Sequence, residues 1–326
     1  MTAPAEDLEP TSLLEAFTRI RTAAERYMDD RDAKDLGWVE ETVTDVAIGE
    51  GMPFVKPVQF NRTQEGIVGA DWLWWWLDSA SGECFGALIQ AKRVKRGGTK
   101  WIVDVRHGLD SVGDDPDASK SQYRKLLDTA EQLEVPAIYA FYTGGLVFRR
   151  DLGCLHPGTP KGCISCRRMA ITLLSAFLVR SAWEPDAVAD VVFSDGVPLE
   201  DLADPAIPTA PVDDLNLPQI PPGELRNFLL EEQAGPRDVA KRIFAAVAHA
   251  RRGQFSLAVA EPLALPAARV FSEVPQDTGH FPGPYFEQVL RGLRAEAPAY
   301  VLDLLADEPP PEELTRLVAG VVLVTY

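Results

Sequence analysis

The chain has 326 residues, 46% of them hydrophobic and 25% charged, so it can bury a sizeable core in one large domain or two smaller ones. Its net charge of −17 argues, taken alone, against nucleic acid as a partner, and four cysteines are too few for a disulfide scaffold. The acidic start MTAPAEDLEP lacks the basic flank and apolar stretch of a secretory signal, and no run reaches membrane-spanning length, so a cytoplasmic protein without membrane contact is expected.

In chain order, residues 11–32 predict a helix, with Thr11 as N-cap and Leu13, Leu14, Phe17, Ile20, Ala24 and Tyr27 at helical spacing. Residues 37–48 predict a second helix, which GEGMP breaks. Residues 54–60 read as a strand whose Pro57 suits an edge position. Residues 67–77 and 83–94 are the clearest strands, and the intervening DSASG, with a glycine available for positive φ, predicts an antiparallel hairpin. An amphipathic helix is expected over 121–133, then a buried strand AIYAFY, a further strand at LVFRR, and a buried helix over 169–183. Residues 199–222, rich in proline, aspartate and alanine, read as a linker. Beyond it, helical pieces are expected at 224–232, 236–252, 285–295 and 312–318.

These elements predict an α/β (α+β) chain: a core over 1–198 with a central mixed sheet flanked by helices, a linker over 199–222, and a mainly helical C-terminal region over 223–326. The C-terminal region carries no catalytic motif and is a candidate surface for a partner subunit.

The hairpin carries the chemistry. Side chains alternate along a strand, so Asp71 shares a face with Leu73 and Trp75, and Gln90 shares one with Leu88 and Lys92. Antiparallel pairing brings the start of the first strand beside the end of the second, and with it Asp71 beside Gln90 and Lys92. A carboxylate, an amide oxygen and an ammonium would suit metal-assisted phosphodiester hydrolysis, with Asp71 and Gln90 as Mg²⁺ (or Mn²⁺) ligands and Lys92 acting on water and phosphate. The same pattern would suit a buried Asp–Lys pair capping a sheet. Around it, residues 84–103 contain no acid and five cations, Lys92, Arg93, Lys95, Arg96 and Lys100; residues 144–170 form a second basic island. Both are compatible with phosphate contact and with solvated basic loops.

Asp71, eighteen intervening residues and then Gln90-Ala91-Lys92 resemble the PD-(D/E)xK restriction-endonuclease-like superfamily, in the QxK variant of Mrr-type enzymes. Gln90 departs from the usual acidic residue, and no proline precedes Asp71. The resemblance covers about residues 35–180 and extends to uncharacterised bacterial proteins of the superfamily. It implies a restriction-endonuclease-like core and a Mg²⁺-dependent endonuclease acting on DNA, in a restriction or phage-defence setting. It also implies a glutamate from the preceding helix: Glu41 is the candidate, Glu40 the alternative, and Glu65 a third. Arg93, Lys95, Arg96, Lys100, Gln122 and Tyr123 are candidate nucleic-acid contacts, with Tyr123 equally suited to the core.

A second constellation is Cys154, His156, Cys163 and Cys166 in GCLHPGTPKGCISC: four potential zinc ligands within thirteen residues, enough for a tetrahedral site. Separate cysteines, with Cys166 opening the buried helix and His156 exposed, are the alternative.

Overall fold

The computed structural model describes residues 9–60, 72–105, 121–149, 163–212, 223–250, 256–257, 263–265, 268–278 and 285–326. Two helices come first, α1 (Leu13–Ala33) and α2 (Glu40–Ile48). Ser12, one residue past the expected Thr11, caps α1: its hydroxyl accepts the Glu15 N–H, and the Glu15 carboxylate accepts the Thr11 N–H at 2.8 Å. This reciprocal arrangement satisfies otherwise orphaned N-terminal donors.

The sheet is built from β1 (Val55–Gln59), β2 (Trp72–Leu77), β3 (Cys84–Gly97), β4 (Lys100–Val103), β5 (Ala137–Tyr142), β6 (Ile171–Ser175) and β7 (Val197–Pro198). Two short ladders follow, formed by β8 (Ser256–Leu257), β9 (Leu263–Ala264), β10 (Glu273–Val274) and β11 (Asp277–Thr278); β12 (Leu293–Arg294) and β13 (Gly320–Thr325) rejoin the main sheet. Interspersed are α3 (Gln122–Gln132), α4 (Ile164–Arg168), α5 (Ala176–Ala182), α6 (Pro185–Asp195), α7 (Glu224–Leu230), α8 (Gly235–Ala250), α9 (Tyr285–Leu290), α10 (Ala299–Leu305) and α11 (Glu312–Thr315).

The spatial order of the main path is β1-β13-β2-β3-β5-β6-β7. As expected, β1 with Pro57 is an edge strand, β2 and β3 form an antiparallel hairpin with Gly82 at φ 81°, and β5 returns parallel to β3 after a helical crossover. The hairpin register sets Trp75 opposite Gly86, where a Cβ would stand 2.6 Å from the indole. Glycine is the residue that lets this ring lie flat over the neighbouring strand.

Three expectations are corrected. Residues 169–183 are not one helix: β6 comes first and Ser175 caps α5. An apolar run buried on both faces has no period that separates strand from helix, and this one pairs antiparallel with β5. Nor is LVFRR a strand; residues 146–149 form a turn.

The third correction concerns domains. The C-terminal region is not a separate helical unit, because β13 lies between β1 and β2, antiparallel to the first and parallel to the second. Its Gly320 stands where a Cβ would lie 2.4 Å from the Trp72 ring. Nor do residues 199–212 behave as a linker: Leu199–Leu202 is a buried 3₁₀ turn whose Glu200 accepts from Arg21 of α1 at 2.8 Å. Among the described residues, no helix is long and apolar enough to cross a membrane.

Candidate functional site

The site lies at the end of the described β2–β3 pairing. The last described β2–β3 pair is Trp72 with Ile89, and on the other side of β3 the residues Gln90, Ala91, Lys92 and Arg93 pair with Tyr139, Ala140, Phe141 and Tyr142 of β5. From α2, Glu40 Oε1 accepts the Arg93 backbone N–H at 2.9 Å.

Gln90 and Lys92 project from one face of β3, about 6.6 Å apart along the strand. Gln90 is buried, 1% exposed, and Lys92 is half-buried. The Lys92 ammonium donates to Oε1 of Gln122, the first residue of α3, whose N-cap Ser121 is itself buried and accepts the Arg124 N–H at 3.0 Å. The structure thus brings together two of the expected residues, Lys92 and Gln122, and sets Gln90 beside them on the strand.

Other expected residues are placed differently. Glu41 is exposed, and Glu40 is the one turned to β3. The signal was readable: at 100° per residue Glu40 lies at the middle of the stripe formed by buried Val43, Thr44, Ala47 and Ile48, and Glu41 lies toward its edge. Tyr123 belongs to the core; it is 2% exposed, directs its hydroxyl to the Ala176 carbonyl and stacks edge-on with Trp183 at 5.4 Å. Asp71, Glu65, Cys154 and His156 lie outside the described residues.

Much of the cationic island is held internally. Arg93 lays its guanidinium over Trp38 at 3.9 Å and donates to the Trp38 carbonyl at 2.8 Å. Arg96 covers Trp101 at 4.1 Å, and Trp101 packs on Phe148 and Phe193. Lys100 meets Asp186 of α6 at 2.5 Å; this hydrogen bond raises the lysine's pKa and lowers the aspartate's. Lys95 is exposed.

Cys163 and Cys166 are half-buried thiols at the N-cap and third residue of α4. Among the described residues, no group of three or more His, Cys, Asp or Glu side chains could hold a metal ion.

The chain belongs to a family of unknown function (DUF6615), which matches residues 13–326. That span runs from the first residue of α1 to the end of β13, so the family unit includes the C-terminal strand together with the hairpin. No curated protein matches the chain.

Proposed function

We propose that the protein is a metal-dependent nuclease that hydrolyses phosphodiester bonds in DNA, with Asp71, Gln90 and Lys92 at its centre. The observation that carries this reading is the convergence of α2 and α3 on the strand that holds Gln90 and Lys92: Gln122 accepts from Lys92, and Glu40 accepts the Arg93 backbone N–H. In the sequence Asp71 directly precedes Trp72, the last described partner on β2. The reading carries the register one residue further, to Asp71 opposite Gln90.

The donors fit a hard divalent cation. Asp71 and Gln90 would hold Mg²⁺ or Mn²⁺ with water completing the shell, since Mg²⁺ keeps several waters and takes few protein ligands. Bound there, the ion supplies Lewis-acid polarisation of a phosphoryl oxygen. Lys92, fixed by Gln122, presents an ammonium to the scissile phosphate, where it orients the attacking water and offsets charge that grows as the phosphorus–oxygen bond to the leaving group breaks. Glu40 is a positioning residue, because it holds the backbone next to Lys92. Replacing Asp71 by alanine tests the reading: metal-dependent cleavage should vanish while the fold remains.

A second reading, a nuclease-fold binding module without hydrolysis, is favoured by the neutral Gln90 and by Arg93, Arg96 and Lys100 being engaged within the chain. Binding of Mg²⁺ or Mn²⁺ at millimolar levels separates the two. Its absence supports the module.

A further inference from the structure

We propose that Cys163 and Cys166 are a redox-active dithiol that closes reversibly to an intramolecular disulfide, independently of the nuclease reading. The two occupy the N-cap and third positions of α4, the pair of positions at which, in a capping box, each side chain reaches the other residue's backbone N–H. Residues three apart on a helix have Cβ atoms about 5–6 Å apart, and a disulfide requires about 3.5–4.5 Å. Cys163, with ψ 121°, lies outside the regular helix, so that helical spacing does not hold its Cβ.

Both backbones are already fixed. The Cys163 carbonyl accepts the Arg167 N–H at 3.1 Å, and the Cys166 carbonyl accepts from the Arg149 guanidinium. Arg149 is itself buried, 4% exposed, and is held by the Gly144 carbonyl at 3.0 Å and by Glu25 of α1 at 3.2 Å. Ordering the two cysteines therefore costs little at the moment of bond formation. Access separates this pair from Cys84, which is fully buried with its thiol pushed up to about 12 by burial, and so is inert. Cys163 and Cys166 are both half-exposed to solvent.

The oxidant is a small-molecule disulfide of the glutathione class. One cysteine thiolate attacks it, forming a mixed disulfide and expelling one thiolate. The second cysteine thiolate then attacks the protein-bound sulfur, expelling the other. Two protein thiols and one external disulfide become one protein disulfide and two external thiols, with both protons passing to the released thiolates.

Trypsin gives a clean readout, because cleavage after Lys161 and Arg167 releases GCISCR with both cysteines and neither of the others. The whole chain is incubated with glutathione disulfide, quenched, alkylated and digested. The expected result is a GCISCR peptide lighter by two hydrogens that takes up no alkylating reagent and regains both sites after dithiothreitol. Cys163→Ser and Cys166→Ser should each leave one alkylated or glutathionylated site, and Cys154→Ser should change nothing in this peptide. A doubly alkylated peptide, a stable glutathione adduct on it in the unsubstituted chain, or a link to Cys154 would overturn the proposal. So would a purified chain whose two thiols resist oxidation because they hold stoichiometric zinc.

Discussion

Lys92 donates to the neutral amide oxygen of Gln122, which fixes the ammonium beside Gln90 on the strand. Further along the same basic stretch, Lys100 meets the Asp186 carboxylate. At the same scale, Glu40 and Glu41 give a sharp contrast between adjacent residues. A hydrogen bond to a charged group contributes about 1.5–3 kcal/mol, so Glu40→Ala should lower cleavage about tenfold or more through the loosened β3 edge. Glu41→Ala should leave it unchanged, and steady-state rates on one DNA substrate compare the two directly. Gly86→Ala is a stability prediction: a methyl group 2.6 Å from the Trp75 ring must displace it, costing about 1–3 kcal/mol as for other overpacked cores, read by urea unfolding. Much of the site was legible at this scale. Gln90 and Lys92 came from strand alternation and Gln122 from the resemblance, and Glu40 could have been preferred to Glu41 from its place on the buried stripe of α2. Tyr123 was ambiguous because a tyrosine at the start of an amphipathic helix serves a surface or a core equally well.

Among elements, β13 matters most. Val321, Val322, Leu323 and Val324 are fully buried between β1 and β2. At about 1.5–3 kcal/mol for each buried aliphatic side chain, they contribute roughly 6–12 kcal/mol, comparable to the ~5–15 kcal/mol that stabilises an ordinary domain. Deleting residues 320–326 should therefore leave no cooperative thermal transition and an aggregating chain; a truncated protein with a normal melting transition would show that the strand is dispensable. The hairpin and the β5 crossover were legible because local signals specify them: alternation, a glycine turn, and a helix of one-turn periodicity between strands. The insertion of β13 was not, since VVLV at a chain end says only that it is buried. Nothing local states that its neighbours lie 248 residues earlier on β2 and 261 to 269 earlier on β1. The split of residues 169–183 into β6 and α5 was hidden for a related reason: partners, not periodicity, decide the conformation of a run buried on both faces.

Across the molecule, the −17 charge is arranged and not merely dispersed. Two ion pairs join α1 to segments more than a hundred residues away, Arg21 with Glu200 and Glu25 with Arg149; Arg21 also meets Glu25 within α1, and Arg168 of α4 meets Asp201 at 3.0 Å and Asp204 at 2.7 Å. Burial raises the Glu25 carboxyl above its ordinary value, against the pull of Arg21 and Arg149. The folded chain therefore binds a proton at Glu25 more readily than the unfolded chain. This group's contribution to stability is fully present below the ordinary value near 4.5 and declines as pH rises through the raised one. The advantage of the natural chain over Glu25→Gln should thus grow as pH falls from 7 toward 4.5, which paired urea titrations at several pH values will read; a shrinking advantage would show the opposite shift. None of these long-range pairs was legible, because charge sums carry no information about which acid meets which base. The central claim is decided by incubating DNA with the natural chain, Asp71→Ala and Lys92→Ala in Mg²⁺ or Mn²⁺, with circular dichroism on each. The account predicts cleavage by the natural chain and a loss of at least about 10²-fold in both variants, as for other removed electrostatic groups, with unchanged spectra. Cleavage that survives in a clean Asp71→Ala preparation, or none by the natural chain, would contradict it.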